Sequence, residues 1–418
     1  MINPNTIREN PEMVKKNTVE RGNNPTFVDE WLKIDAQRSI LIQEIEKLRS
    51  ERNNLNEGLV GKPDEKTVER MKFLKQEIDT KEENLKEIEK NWKDTIDQIP
   101  NIHLSDVPVG KSEENNIELE FVGEKPQFDF EPKDHLEIML NLNMIDFETA
   151  GKVSGSQFYY LKNDGVLLEY ALTQFGLKKF LSKGYEMFIT PDVAKSRYYL
   201  GTGYSPKGDE AQTYEIQGED LGLIATAEVT MAGYHSDKIF DKSELPKKYV
   251  AISKCFRKEA GAYGKYSKGL YRVHQFTKME MFAYCLPEDS EAIHQEFLSI
   301  EKEIASELGI PFRVIQQCTG DLGAIAAKKY DLEAWLPSRN DFGEITSTSN
   351  CTDYQSRNLN IRYKKSEGKN EYVHTLNGTA IVMSRFPLAI IENYQQKDGS
   401  IKVPEVLREY MGKEFIGK

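Results

Sequence analysis

Along residues 28–99 the apolar positions recur at alternating steps of three and four, with polar residues filling almost everything between them. Trp31, Ile34, Arg38, Leu41, Ile45, Leu48, Arg52 and Leu55 form one such row, and Met71, Leu74, Ile78, Lys81, Leu85, Ile88, Trp92, Thr95 and Ile99 form a second. Each row is a heptad seam and predicts a long helix. Glycine and proline are nearly absent here apart from Gly58, Gly61 and Pro63, which place a short turn between the helices. A short turn makes the pair antiparallel, seam against seam, over roughly 40 to 50 Å at ~1.5 Å per residue. Arg38, Arg52 and Lys81 interrupt the seams and must snorkel out or find partners. Pro100 is expected to stop the second helix, because it lacks the N–H donor and restricts the residue before it. On pattern alone, such a hairpin reads first as a dimerisation or spacer coiled coil.

Beyond about residue 115 the pattern changes to short β-rich runs, YEIQ, LGLIAT, YVAISKCF, YRVHQF, EMFAYC and HTLNGTAIVM, interspersed with amphipathic segments such as HLEIMLNLNMI and EAIHQEFLSIEKEIASEL. Hairpin-linked strands flanked by helices predict an antiparallel α+β domain. With 418 residues, 39% of them hydrophobic, the chain can bury a large core and hold two or three domains. We divide it into residues 1–110 and 111–418. Neither a glycine-rich P-loop nor a G-x-G-x-x-G after a strand is present, which argues against a Walker or Rossmann nucleotide site.

One segment of the second part concentrates chemistry. Residues 256–282, FRKEAGAYGKYSKGLYRVHQFTKMEMF, set two strand-like runs around a Gly/Lys-rich loop. Arg257 and Glu259 are two apart, and Arg272, Phe276 and Glu280 are separated by even steps, so in extended runs each set shares a face, with Val273, Met279 and Met281 on the other. Arginines can grip carboxylate or phosphate oxygens bidentately, a phenylalanine can stack on a base, and a carboxylate can read a small polar group. A solvated hairpin with paired surface charges is the alternative reading.

Composition adjusts this picture in two ways. A net charge of −12 points away from nucleic acid, since phosphate binding needs a local excess of lysine and arginine. The four cysteines, Cys255, Cys285, Cys318 and Cys351, lie far apart without a C-x-x-C pair, arguing for reduced thiols in a cytoplasmic protein and against zinc or disulfides. The start, MINPNTIRENPEMVKKN, has no apolar h-region and no later window approaches a membrane span, so neither secretion nor membrane insertion is expected.

The segment 256–282 resembles motif 2 of the class II aminoacyl-tRNA synthetases in its seryl-tRNA synthetase form, where FRxEAG, GLYRxHQF and K-x-E follow in this order. LIATAEVT (223–230), DLEAWLPS (331–338), EITSTSNCTDYQSRNLNIRYK (344–364) and LNGTAIVMSRFPLAIIENYQ (376–395) resemble further blocks of that family, the last its motif 3. LLEYALTQFGLKKFLSKGYEMFITPD (167–192) looks like motif 1, and the N-terminal IRENPEMVKKN is also in the family's style. The resemblance implies a class II antiparallel-sheet catalytic domain preceded by a long antiparallel coiled-coil arm. It implies an enzyme that activates L-serine with ATP, releasing pyrophosphate, and passes serine to the 3′ end of serine tRNA. Whether selenocysteine tRNA is also charged stays open.

Carried over by position, Arg257 would bridge the serine carboxylate and the α-phosphate, Glu259 would contact the adenine amino group, and Arg272 would hold the outer phosphates. Phe276 would stack on adenine, Arg385 would cover its other face and meet the γ-phosphate, and Val273 falls among the ATP-binding positions. Glu344 and Ser347 match magnesium ligands; their odd spacing requires a bend or bulge to bring both to one face. Glu280 and Thr379 would read the serine hydroxyl, Thr226 and Glu228 the ammonium, with Asn377 in support. Taken singly, Thr226 and Thr379 are also ordinary strand threonines and Glu344 a surface carboxylate. The arm would grip tRNA, with Lys33, Lys47, Arg49, Lys72, Lys75, Lys86, Lys90 and Lys93 as candidates for phosphate contacts, and motif 1 implies a homodimer. The loop 261–269 would meet the tRNA acceptor end.

Some positions depart from the family pattern: Thr230 in TAEVT, Tyr170 where an arginine is common, and Ser384 with Phe386-Pro387 around Arg385. None removes a substrate-contacting position. His274 reads as a structural hydrogen-bonder, and His103, His135, His235, His294 and His374 form no ligand cluster. Two alternatives remain at this level: a related ligase that charges a carrier protein, which would lack the arm, and a non-catalytic paralogue, which would have lost Arg257, Glu280 or Arg385.

Overall fold

The computed structural model describes residues 1–57, 63–204, 212–259, 269–365 and 368–418. Its contacts divide the chain into two compact units, Met1–Ile102 and His103–Lys418.

The first unit is built on helices α1 (Thr26–Glu57) and α2 (Glu65–Ile96), each of 32 residues and therefore about 48 Å long. Asp64 caps α2, its side chain accepting from Thr67 N at 2.7 Å. The helices are antiparallel, because their ion pairs run in reverse order: Arg38 with Glu89 (3.0 Å), Glu44 with Lys81 (2.6 Å) and Glu51 with Arg70 (2.6 Å). Arg38 and Lys81 thus find the partners their seam positions demand. The second helix stops at Ile96, four residues before Pro100, and Ile99 is buried beyond its end. One buried acidic position falls outside both seams. Asp35 is held by Arg8 at 2.7 and 2.8 Å and by Trp92 Nε1 at 2.9 Å, where two short N-terminal helices pack on Trp31, Ile96 and Ile99. Its carboxylate has full partners, so burial is tolerated. Arg49 and Lys93 are taken up in pairs with Glu82 and Asp97, while Lys33, Lys47, Lys72, Lys75, Lys86 and Lys90 stay exposed.

The second unit carries an eight-stranded sheet. Its strands are β1 (Ile117–Val122), β2 (Glu186–Ile189), β3 (Lys247–Phe256), β4 (Gln275–Cys285), β5 (Phe312–Gln316), β6 (Lys328–Leu336), β7 (Asp341–Asn350) and β8 (His374–Val382), in the spatial order β1-β5-β6-β7-β8-β4-β3-β2. Every neighbouring pair is antiparallel except β2 with β3. The main core lies between one face of this sheet and helices α3 (Asp164–Ser182), α5 (Ser290–Glu307) and α6 (Arg385–Tyr394), joined there by Met279, Met281 and Ala283 of β4. Gly176 lets α3 lie against β4: a Cβ at that position would come within 2.7 Å of Met279 Sδ. The other parity of β4 faces away from this core and lines the site described below.

Candidate active site

Phe276, Lys278 and Glu280 alternate along β4 and line a cavity of about 330 Å³. Two β-bulges decide what faces them. Between β4 and β8, Met279 pairs with Ile381 and Glu280 with Thr379, so Ala380 is the extra residue. Without it Glu280 would oppose Ala380; with it Glu280 and Thr379 stand directly across from each other, and Thr379 and Val382 share the cavity face. Between β6 and β7, Leu332 pairs with Thr346 and Glu333 with Glu344, so Ile345 is extra. That insertion gives Glu344 and Ser347 the same side despite their odd spacing, and both line the cavity. The expected bulge is therefore present.

The two ends of the motif 2 hairpin are less regular than strand alternation predicts. Strand β3 stops at Phe256 and β4 starts at Gln275, so Arg257, Glu259, Arg272 and Val273 lie outside the ladder. Shared strand faces do not place these four, yet all line the cavity. Arg257 is held instead by its own Nε donating to Ala225 O (3.3 Å) and by His274, whose Nδ1 lies 2.8 Å from Arg257 O. Its guanidinium sits 5.4 Å from the Phe276 ring centroid. His274 is thus a structural partner, as the sequence suggests. Glu259 adopts φ 51°, in the left-handed region, and accepts from Arg272 at 2.7 Å. The Gly/Lys-rich loop assigned to the acceptor end lies, apart from Gly269, outside the described residues.

Glu280 is 1% exposed and ion-paired with Lys278 on the same strand face. Nearby, Glu228 is fully enclosed in helix α4 (Ala227–Gly233) and collects hydrogen bonds from Tyr204 OH (2.9 Å), Gln355 Nε2 (2.6 Å) and Asn377 Nδ2 (2.9 Å). Burial, then the neighbouring Glu280, push the Glu228 carboxyl up to about 7 against Lys278 and those donors. Thr226 is the N-cap of α4, its Oγ1 accepting from Glu228 N at 3.1 Å. It is fully buried and is not among the cavity-lining residues, so its hydroxyl is engaged in orienting Glu228.

At the opposite end Arg385, the first residue of α6, pairs with Glu344 at 3.1 Å and lies 5.0 Å from the centre of the Tyr271 ring. Burial works to raise Glu344, but Arg385, Lys329 and Arg257 outweigh it and hold the carboxyl below its ordinary value. An anionic carboxylate beside a serine hydroxyl is a hard-oxygen pair, and among the described residues no group of three or more His, Cys, Asp or Glu side chains could hold a metal. Of the departures from pattern, Ser384 is buried and lines the cavity, Pro387 falls in the first turn of α6, Thr230 bonds back to Ala227 O at 3.0 Å within α4, and Tyr170 is exposed on α3.

Sequence reasoning missed Tyr204, Lys278, Tyr271, Lys329 and Gln355. Lys278 shares the parity of Phe276 and Glu280 and was legible on that ground. Gln355 and Tyr204 reach Glu228 from positions 127 and 24 residues away in the chain, and no local pattern marks them. The four cysteines are buried and none is joined in a disulfide, and no helix among the described residues is long and apolar enough to cross a membrane.

An antiparallel sheet whose motif 2 hairpin and motif 3 helix converge with arginines on one cavity defines a class II aminoacyl-tRNA synthetase core. Residues 212–394 match the class II core domain of tRNA synthetases for G, H, P, S and T, and residues 1–103 match the seryl-tRNA synthetase N-terminal domain. A serine–tRNA ligase of Treponema denticola is 50% identical over all of both chains. Among solved structures, seryl-tRNA synthetase from Pyrococcus horikoshii complexed with ATP superposes with a TM-score of 0.90 at 40% identity, covering 100% of this chain and 99% of that one. The cytoplasmic serine–tRNA ligase of Naegleria fowleri in complex with AMP gives 0.83 at 35%, covering 97% and 95%. The chain belongs to the seryl-tRNA synthetase family, and its activity is that of a serine–tRNA ligase.

Proposed function

We propose that the cavity binds ATP and L-serine together, with the residues dividing the work by position. The observation that carries this reading is the bulge that sets Glu280 opposite Thr379. It makes a small, deeply buried polar end fit for a hydroxymethyl group, while Phe276 and Arg257 form a stacking and anion-binding end in the same cavity. Glu280 and Thr379 read the serine hydroxyl. Glu228, oriented by Thr226 and Asn377, receives the ammonium. Arg257 bridges the serine carboxylate and the α-phosphate, so that a carboxylate oxygen attacks phosphorus in line as pyrophosphate leaves. Phe276 and Arg385 sandwich adenine beside Val273, Glu259 accepts from its amino group, and Arg272 takes the outer phosphates. The Glu259–Arg272 and Glu344–Arg385 pairs must then exchange partners on binding. Glu344 and Ser347 would hold Mg²⁺, which supplies charge neutralisation on the phosphates when bound. Bound ATP and AMP in the two solved relatives support the nucleotide assignment.

Serine-dependent pyrophosphate exchange, run beside alanine, threonine, glycine and cysteine, tests the reading directly. Exchange with serine alone is expected, and none with any of the five would overturn it.

The Glu228 carboxyl adds a pH signature. Its value in the folded protein, about 7, lies above the ordinary carboxyl range, so its contribution to stability is present at low pH and lost as pH rises through about 7. Serine's ammonium requires the ionised form. The serine KM should therefore fall between about pH 6 and about pH 8, and Glu228→Gln should flatten the dependence. A serine KM independent of pH over that window in the wild-type protein would remove Glu228 from the ammonium site.

We assign residues 1–110 to tRNA binding and 111–418 to catalysis. Trp31, Asp35 and Trp92 belong to a packed base shared with the N-terminal helices, so an arm deletion should spare them. Joining residue 40 to residue 86 through a short turn is expected to leave serine-dependent exchange intact and to lower kcat/KM for serine tRNA by about 10²-fold, the effect of losing one of two linked binding sites. Unchanged charging would refute the arm's role. A homodimer is supported by the edge position of β2 and by the exposed apolar side chains of Tyr170, Leu181 and Ile189 on α3 and β2, and sedimentation at a single-chain mass would contradict it. The buried reduced thiols fit a cytoplasmic location.

A further inference from the structure

A buried histidine that the reaction does not use touches both the turn that leads into Arg272 and the helix that begins at Arg385. His135 is 2% exposed and Glu392 is 0% exposed. Leu270 N donates to His135 Nε2 at 3.1 Å, so that nitrogen is an acceptor and the ring proton sits on Nδ1, which donates to Glu392 Oε1 at 3.0 Å. The His135 backbone N–H donates to the same oxygen at 3.1 Å. The other carboxylate oxygen, Oε2, accepts from Ser338 Oγ (2.7 Å) and Ser338 N (3.2 Å). Burial would raise the Glu392 carboxyl, yet the donors from His135 and Ser338 hold it below its ordinary value, so it is an anion with each oxygen paired.

Three elements meet here. Leu270 belongs to the single turn Gly269–Tyr271 that leads directly into Arg272. Glu392 lies two turns along α6 from Arg385. Ser338 lies in the turn Pro337–Arg339 between β6 and the strand that carries Glu344. Tyr271 completes the contact, with the Arg339 guanidinium 4.8 Å and the Arg385 guanidinium 5.0 Å from its ring centre. The fit to the turn is close: Gly269 has φ +68°, and a Cβ there would stand 2.2 Å from His135 Nε2.

We propose that the His135–Glu392 pair is a positioning latch that fixes the return of the motif 2 loop against α6 and so sets Arg272 and Arg385 for the outer phosphates of ATP. The pair touches no substrate. It acts through Leu270 N on one side and through α6 on the other, and neither residue lines the cavity that Glu280 and Thr379 share. Disturbing it should weaken ATP binding and leave serine binding almost alone. This inference rests on the assignment of Arg272 and Arg385 to ATP given above.

Two substitutions separate the latch from general packing. His135→Asn keeps a donor near Glu392 but no longer reaches Leu270, whereas His135→Gln places an acceptor near Leu270 and loses the Nδ1 donor. Both lose the aromatic ring, and the split between the ATP and serine KM values, rather than the volume removed, carries the test. In pyrophosphate exchange on the full chain, His135→Asn should raise the ATP KM at least about tenfold with the serine KM within about twofold of wild type, and His135→Gln should recover part of the ATP KM. If His135→Asn does not accumulate as folded protein, Gly269→Ala replaces it, because it presses on the same contact from the loop side, and the same split decides. An unchanged ATP KM, or ATP and serine KM values rising together, overturns the latch. Arg272→Ala serves as the control for the underlying assignment: if its ATP KM equals that of wild type, the assignment fails rather than the latch. No serine-dependent exchange by the wild-type protein would instead sink the functional reading itself.

Discussion

Replacing Arg257 by alanine is expected to lower kcat for serine-dependent pyrophosphate exchange by about 10³ to 10⁵, the range seen when an arginine that stabilises phosphoryl-transfer charge is removed. The side chain is held by Ala225 O and the Phe276 ring, and its backbone is pinned to residue 274 in both directions. Little of its cost is therefore spent when substrates arrive. In the reaction it would contact both the attacking carboxylate and the phosphorus centre, so its loss removes charge stabilisation and alignment together. Arg257→Lys should recover little, since a lysine ammonium cannot bridge two oxyanions in a planar fork. The guanidinium is only part-buried, so the melting temperature should change little, and a kcat within about tenfold of wild type would remove Arg257 from the transition state.

Glu280→Ala is expected to reduce kcat/KM for serine by about 10² to 10³ and to erase most of the discrimination against alanine. Two terms combine. A hydrogen bond from the serine hydroxyl to a charged acceptor is worth about 1.5 to 3 kcal/mol, and removing one member of a buried ion pair costs about 3 to 5 kcal/mol because the other charge is stranded. Lys278, 6% exposed on its side chain, would be that stranded charge. The variant should therefore also unfold at a lower temperature than wild type, unlike Arg257→Ala. Glu280→Gln, which keeps an acceptor and the volume, should retain more selectivity than alanine does. Undiminished preference for serine over alanine in Glu280→Ala would show that the hydroxyl is read elsewhere.

The two bulges show how closely local sequence and tertiary pairing share the specification of this site. The odd interval between Glu344 and Ser347 already demands an irregular strand, and the extra residue is Ile345, opposite the step from Leu332 to Glu333. The bulge at Ala380 had no comparable signal. LNGTAIVM reads as an ordinary strand, and only its pairing with β4 shows that one residue is unmatched. The same limit explains Arg257, Glu259 and Arg272. Their even spacing suggested strand faces, but the hairpin ladder ends at Phe256 and Gln275, and each residue is placed by a specific hydrogen bond instead. In the arm, the seams were readable from apolar periodicity, whereas buried Asp35 was not, because an acidic residue is admitted only by Arg8 and Trp92 arriving from other parts of the unit.

By itself the sequence determined the long helical pair, the α+β character of the remainder, the parity of Phe276 and Glu280 on one strand, and the family to which the motifs belong. These follow from periodicity and from residue types at short spacing, which depend on backbone geometry alone. Only the tertiary structure decided that Glu280 faces Thr379, that Glu228 gathers Tyr204, Gln355 and Asn377, and that His135 meets Leu270 and Glu392 from 135 and 257 residues away in the chain. Such contacts depend on strand register and helix packing between distant segments, and a buried polar group is settled only when all its partners are in place.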